Sequence, residues 1–293
     1  MESLETRLRP LLQPLTQNLP TPIATTVENL LGPVCYRSLM HNITLTDSAC
    51  LQLALSKTLG IAIVGASAVV KIPQLLKLLS SQSAAGVSFL SYALETAGFV
   101  VSLAYNIRRG FAFSTYGELA LILIQNVAIS TLVLRLSGRS TWAAAFVAVL
   151  ASAAYLLLDE TRCSMDTLQW LQMGAGGLSV ASKVPQIVTI FQEGGTGELS
   201  AFAVFNYLIG SLTRIFTTLA EVSDPLILYG FLAGGALNAV LAVQMLYYWN
   251  ADAAKRGKRK KNGAAKTGAE GATNGQGGQA QKNRNKPRTR RRG

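Results

Sequence analysis

The chain has 293 residues, of which 49% are hydrophobic and only 14% are charged, and its mean hydropathy is +0.31. Soluble domains carry about 25% charged residues, so this composition excludes an ordinary soluble domain and favours an integral membrane protein. The net charge of +12 is confined to residues 251–293, which hold fourteen Lys/Arg against two acidic residues. The remaining body of the chain is neutral.

Seven apolar stretches follow a proline-punctuated leader, and each approaches the roughly 20 residues that are needed to cross the hydrocarbon of a bilayer. The leader contains Pro10, Pro14, Pro20, Pro22 and Pro33. The seven stretches are predicted as transmembrane helices at 56–79, 87–107, 114–136, 141–158, 167–191, 199–220 and 225–249. Beyond them, the basic segment has hardly an apolar side chain larger than alanine, so we expect it to be disordered.

A tetrapeptide in the first apolar stretch returns 112 residues later in the fifth stretch. A proline inside a helix removes a hydrogen bond and clashes with the preceding turn, so each copy predicts a hinge. The glutamine beside each proline is expected to bond to the backbone groups that the hinge frees. A lysine at this depth is costly unless it faces a partner or a wet cavity. The two copies are Lys71-Ile72-Pro73-Gln74 and Lys183-Val184-Pro185-Gln186.

This repeat divides the apolar body into three helices, one linker helix and three further helices. An even number of crossings separates the two copies, so we predict parallel repeats about an axis along the membrane normal, as in the transporters called SWEETs. The predicted fold class is therefore an all-α membrane protein with seven transmembrane helices. Ser88 and Ser200, each fifteen residues after a motif proline, are predicted to cap the next helix. The predicted segments are a lumenal leader (1–55), the first repeat (56–136), the linker helix and loop (137–164), the second repeat (165–250) and a basic cytosolic tail (251–293).

Loop charge predicts the orientation, because cytosolic loops are enriched in Lys and Arg. The basic tail places the C-terminus in the cytosol and the N-terminus in a lumen, although Arg108 and Arg109 then lie on the lumenal side. On that side Asn42 is a candidate glycosylation site, since it opens an Asn-x-Thr triplet. Cys35 and Cys50 are candidates for a disulfide, with two free thiols as the alternative.

Charged side chains within the predicted spans are candidates for a ligand site. Three cations, Lys71, Lys183 and Arg214, stand against two acids, Glu95 and Glu118, so one cation is available for an anionic ligand. The alternative is that these charges pair with one another or reach the interface from helix ends.

The sequence offers no nucleophile–base pair, no phosphate-binding glycine loop and no cluster of metal-ligating residues. We therefore expect a protein that is not an enzyme and that has no cofactor. Charge alone would allow the tail to bind nucleic acid, but its attachment to seven spans argues against a nucleic-acid partner. Anionic lipid headgroups are the expected contact for the basic residues next to the membrane.

The duplicated Pro-Gln motif with its Gly/Ser turn resembles the PQ-loop family, which includes SWEETs, cystinosin and, by fold, KDEL receptors. The resemblance covers residues 35 to 250 and is most specific in the last two spans. In these two spans the chain resembles one branch of the family, which is required for the use of mannose-phosphate-dolichol. The residues that carry it are Leu55-Ser56-Lys57, Val70 to Gln74, Lys77, Ser83-Ala84, Gly86-Val87-Ser88, Gly210 to Thr217, Asp224-Pro225-Leu226 and Tyr248-Trp249-Asn250.

The resemblance implies a multi-pass protein of the endoplasmic reticulum membrane that is needed for mannose-phosphate-dolichol and glucose-phosphate-dolichol to act as sugar donors. These lipids supply N-glycan, glycosylphosphatidylinositol-anchor and O-mannose synthesis, with glycosyltransferases of the same membrane as candidate partners. From the residues, we hypothesise that Lys71, Lys183 and Arg214, with Glu95 nearby, face the donor phosphate. The alternatives are a small-solute transporter like SWEETs or cystinosin, and a cargo receptor like the KDEL receptors. Proton coupling would call for an acid beside the motif, and Glu95 is in the next predicted helix.

Overall fold

The computed structural model describes residues 2–196 and 200–249, and every regular element in this part of the chain is a helix. The predicted all-α class is therefore confirmed. The predicted disordered tail lies outside the described residues. The α-helices are α1 Glu2–Gln17, α2 Thr21–Tyr36, α3 Ser48–Ser67, α4 Ile72–Ser81, α5 Phe89–Arg108, α6 Phe113–Leu136, α7 Ser140–Leu158, α8 Met165–Ala181, α9 Val184–Glu193, α10 Ala201–Glu221 and α11 Pro225–Tyr247, with a π-helical turn at Arg37–His41.

Five of these segments are long and apolar enough to cross a membrane, which establishes a multi-pass membrane protein. They coincide with predicted spans one, three, four, six and seven. The other two predicted spans are also helical: 87–107 falls on α5, and 167–191 falls on α8 and α9. The five segments are Ser48–Ser81, Phe113–Leu136, Ser140–Leu158, Ala201–Glu221 and Pro225–Tyr247.

The first spanning helix begins at Ser48, eight residues before the predicted start at 56. Asp47 causes the difference, because its carboxylate accepts a hydrogen bond from the Cys50 amide at 3.1 Å and caps the helix. The Ser38 hydroxyl donates to the same carboxylate at 2.8 Å and fixes its position. Both hydrogen bonds lower the pKa of Asp47, and the bond from Ser38 has the larger effect. The predicted leader contains α1 and α2.

A disulfide between Cys35 and Cys50 joins the end of α2 to the first turn of α3. Cys50 also packs in a small core with Leu31 and Leu39, and all three are buried. The segment before the first span is thus held to the start of that span by a covalent bond and by apolar packing.

The chain divides into two compact units, and the first comprises residues 1–184 and 206–239. Within this unit, α5 packs against α6, α7 and α8, while α3 and α4 pack against α6. Gly60 permits the approach of α3 to α6, because a Cβ at this position would come within 2.5 Å of the Ser114 carbonyl oxygen. Buried apolar side chains fill this unit, among them Leu78, Tyr105, Ile129, Val133 and Leu168.

The second unit comprises residues 185–205 and those from 240 onward. Its described core includes Ile190, Leu241 and Met245, which are all buried. The Gln244 side chain donates to the Ile187 carbonyl at 3.0 Å, and so satisfies a backbone group next to the second motif.

The turn after the first motif has the predicted chemistry. Gln82 ends α4 in the left-handed conformation, with φ of 48°, and Gly86 follows with φ of 79°. The Ser88 hydroxyl then accepts a hydrogen bond from the Ser91 amide at 3.3 Å, which confirms this predicted cap. In the second repeat, Ser200 directly precedes α10, and its carbonyl accepts from the Val204 amide at 3.1 Å.

The two arginines that opposed the charge-based orientation are both engaged by the protein. Arg108 donates to the carbonyls of Leu157 and Cys163 at 3.2 and 2.8 Å. Arg109 forms an ion pair with buried Asp224 at 2.8 Å. Both side chains are therefore bound within the first unit.

We expect the contribution of Asp224 to stability to depend on pH. Burial on its own would raise the pKa of Asp224, but hydrogen bonds from Tyr105, Arg109 and the Ile227 amide outweigh burial and lower it. A carboxyl whose folded pKa is lowered stabilises the fold fully above its ordinary pKa of 3.8, and this stabilisation is lost as the pH falls through the folded value. Thermal unfolding of wild type and Asp224→Asn should therefore differ at pH 7, and the difference should shrink as the pH falls below 3.8. A melting-temperature difference that stays constant across this range would contradict the assignment.

Candidate ligand-binding site

The first motif lies at a break between two helices. The helix α3 ends at Ser67, and α4 begins at Ile72 with Pro73 in its first turn. The side chain of Gln125 on α6 spans this break, since it accepts from the Lys71 amide at 2.9 Å and donates to the Ser67 carbonyl at 2.8 Å. Gln125 thus takes the role that the sequence suggested for Gln74.

Gln125 is expected to stabilise this hinge measurably. Gln125→Leu leaves the partly buried Lys71 amide without its partner, which costs about 1–3 kcal/mol, while the Ser67 carbonyl keeps a hydrogen bond of 3.4 Å from the Val70 amide. Gln74→Leu is the matched control, because Gln74 makes no side-chain hydrogen bond to a described residue. Thermal unfolding in nanodiscs should show a clear loss for Gln125→Leu and little change for Gln74→Leu. Equal losses would show that Gln125 does not hold the hinge.

The motif lysine of the first repeat is neutralised. Lys71 Nζ lies 3.1 Å from both carboxylate oxygens of Glu95 on α5. It also lies 5.0 Å from the centre of the Tyr92 ring, close enough for a cation–π contact. The predicted candidates Lys71 and Glu95 therefore meet, and Glu95 is beside the motif although it comes from the next helix.

The motif lysine of the second repeat has neutral partners. Lys183 Nζ donates to the Asn238 side-chain oxygen at 2.8 Å, and it lies 5.5 Å from the centre of the Tyr207 ring. Tyr207 lies 112 residues after Glu95 and therefore corresponds to it in the repeat. The second repeat thus has an aromatic ring where the first has an acid. No carboxylate in the described part of the chain forms an ion pair with Lys183. Lys183 is thus a half-buried cation whose charge is not compensated by a carboxylate in this part of the chain.

The third predicted cation, Arg214, is buried and forms an ion pair with Glu118. Nearby, Lys57 forms an ion pair of 2.5 Å with Glu221, and the Ser114 hydroxyl donates to the same carboxylate at 3.2 Å. These two pairs join α10 to α6 and α3 within the first unit. Arg214 therefore has an acidic partner and belongs to a network of two ion pairs.

Three of these side chains were not singled out as site residues from the sequence. Lys57 lies at the start of the predicted span 56–79 and Glu221 lies just outside the predicted span 199–220, but the earlier start of α3 places Lys57 well inside a helix. Tyr207 was missed because the repeats were aligned only at the motif and its turn. Extending the 112-residue offset would have matched Tyr207 to Glu95, and Asn238 to Asn126.

The candidate glycosylation site is exposed at the end of the segment that precedes α3. Asn42 is exposed, whereas the next residue, Ile43, is buried with φ of 51°. The Asn42 carbonyl accepts a hydrogen bond from the Arg9 side chain at 3.0 Å. The side chain that would carry a glycan is thus accessible, and glycosylation at Asn42 remains a prediction.

The helices and their contacts define a multi-pass helical membrane protein with a hinged, lysine-bearing helix in each of two repeats. Comparison with known proteins identifies the repeats as PQ loop repeats, at residues 55–115 and 167–227, which are again 112 residues apart. Human solute carrier family 66 member 3 is 31% identical over 206 residues, which cover 69% of this chain and 96% of that protein. The chain belongs to the PQ-loop family, and the predicted fold class is confirmed. No solved structure matches the chain significantly.

Proposed function

We propose that this protein enables mannose-phosphate-dolichol and glucose-phosphate-dolichol to act as sugar donors in the endoplasmic reticulum. In this proposal it binds the phosphate of the donor lipid while the sugar is presented or translocated, and the polyprenyl chain stays in the bilayer. The resemblance of Gly210 to Thr217 and of Asp224-Pro225-Leu226 to the mannose-P-dolichol utilization defect 1 protein supports this substrate class.

The observation that carries the proposal is the uncompensated charge of Lys183. A cation at membrane depth is unfavourable unless it has a partner, and its described contacts are an amide oxygen and an aromatic ring. A phosphodiester anion would supply the missing charge and accept a charge-assisted hydrogen bond. Lys71 is a weaker candidate because Glu95 already neutralises it.

The proposed orientation places the N-terminus in the lumen and the basic tail in the cytosol. The Cys35–Cys50 disulfide supports this orientation, because disulfides persist in the oxidising lumen and are rare in the cytosol. The fourteen Lys/Arg of residues 251–293 support it through the positive-inside rule.

Complementation of a cell that lacks its own PQ-loop protein for donor use would test the proposal. The lipid-linked oligosaccharides of that cell are profiled with and without this chain. We expect the chain to restore the species whose last sugars come from dolichol-phosphate donors. If it is expressed in the right membrane and those species stay truncated, the proposed function is wrong.

A second candidate function is transport of a small solute, which the name of the human relative, a solute carrier, suggests. The ion pair of Lys71 and Glu95 favours it, because a half-exposed acid beside the hinge can couple protonation to movement. Uptake of sugars and amino acids into proteoliposomes at several pH values distinguishes the two candidates. Proton-driven uptake that Glu95→Gln abolishes would favour the transporter.

A further inference from the structure

The N-terminal helix α1 turns its polar face towards the protein. The Arg9 guanidinium donates to the Asn42 carbonyl at 3.0 Å, and the Gln13 amide donates to the His41 carbonyl at 3.0 Å. One turn later, the Gln17 amide reaches the same His41 carbonyl at 3.5 Å. Residues four apart share one face of a helix, so this face docks α1 onto the π-helical turn through polar contacts.

The opposite face of α1 is apolar and points away from the protein. Leu11 and Leu15 are 69% and 70% exposed. A surface helix of a soluble protein buries its apolar stripe against the core and leaves its polar face in water. The arrangement in α1 is the reverse, so its leucines require an apolar medium that the described protein does not provide.

The position of α1 identifies that medium. The following helix α2 is joined to the first turn of α3 by the Cys35–Cys50 disulfide, and α3 starts a membrane-spanning segment. This bond keeps α1 and α2 at the level where the chain enters the bilayer. Two further apolar side chains on α2, Ile23 and Val34, are 50% and 75% exposed. The leucine face of α1 therefore belongs to a segment that is held next to the start of a membrane span and that exposes further apolar side chains.

We propose that α1 is an interfacial helix whose leucine face inserts into the leaflet at the N-terminal end of α3. The partner is the lipid of the bilayer that the protein spans. An amphipathic helix in this position lies in the plane of the interface with its apolar side among the acyl chains. The proposal is independent of the sugar donor and of Lys183.

Spin labels on the full-length chain in phospholipid nanodiscs would test this proposal. Cys163→Ser removes the free buried thiol, while the Cys35–Cys50 disulfide stays intact. Nitroxides are then placed singly at Leu15→Cys, on the apolar face, and at Gln17→Cys, on the polar face. Since oxygen partitions into acyl chains and a nickel chelate stays in water, we expect the oxygen-to-nickel collision ratio to be roughly threefold or more higher at Leu15.

Two results would overturn the proposal. Equal collision ratios at the two positions, both typical of water, would show that the leucine face is solvated. A label at Leu15 that is shielded but broadened by a label on another copy would show that a second molecule covers the face. Both positions are exposed, so the substitutions should not affect folding.

Discussion

Lys183→Met is expected to weaken binding of mannose-phosphate-dolichol by about 10- to 100-fold, since a hydrogen bond to a charged group contributes about 1.5–3 kcal/mol. The same substitution should leave the melting temperature unchanged or raise it, because it removes an uncompensated cation from the membrane. Loss of binding without loss of stability is the signature of a residue kept for a ligand. Affinity of the purified variants in nanodiscs for the donor lipid is the measurement.

Two controls separate the roles of the motif lysines. Lys183→Arg keeps the positive charge and should retain most of the affinity. The double variant Lys71→Met/Glu95→Gln removes a pair that is already neutral, and should bind the donor nearly as well as wild type. If the double variant loses binding and Lys183→Met does not, the phosphate site is in the first repeat and our assignment is wrong.

Glu221→Gln is expected to cost about 3 kcal/mol of stability, since it leaves the Lys57 cation, whose side chain is only 13% exposed, without its carboxylate. The side chain of Glu221 is only 3% exposed, so solvent offers little compensation. Lys57→Met/Glu221→Gln removes both charges and should recover much of the loss. Thermal and denaturant unfolding in nanodiscs would measure these differences.

Glu95→Gln is the matched control for this effect. It breaks the ion pair with Lys71, but the Glu95 side chain is 38% exposed, and pairs of that exposure contribute about 0–1 kcal/mol. A loss at Glu95 as large as that at Glu221 would contradict the distinction between a partly exposed pair and a buried pair.

The fold was largely predictable because the signals that specify it are local. Each apolar stretch has the length of a span, and the repeated Lys-x-Pro-Gln marks the duplication. The break at Pro73 lies where proline chemistry requires it, and Ser88 caps the next helix. The start of α3 was misplaced because Asp47, its cap, lies in a segment with the composition of a loop.

The pairing of charges was not predictable, because it depends on contacts between distant helices. Lys57 and Glu221 are 164 residues apart in the chain, and nothing local indicates that they meet. Likewise, the sequence did not distinguish the three cations as candidates for a ligand site. In the structure, Arg214 and Lys71 have acidic partners, whereas Lys183 has neutral ones. The structure therefore distinguishes the three candidates by their partners, and our proposal rests on Lys183 alone.

The most direct test of the central claim is the phosphate dependence of lipid binding by the wild-type protein. Nanodiscs that carry the full chain are titrated with mannose-phosphate-dolichol, with unphosphorylated dolichol and with soluble mannose phosphate. We predict tight binding of the phosphorylated lipid, and binding of dolichol weaker by about tenfold or more, because dolichol offers no anion to Lys183. Equal affinity for the two lipids would contradict the claim that the charge of Lys183 recognises the donor phosphate.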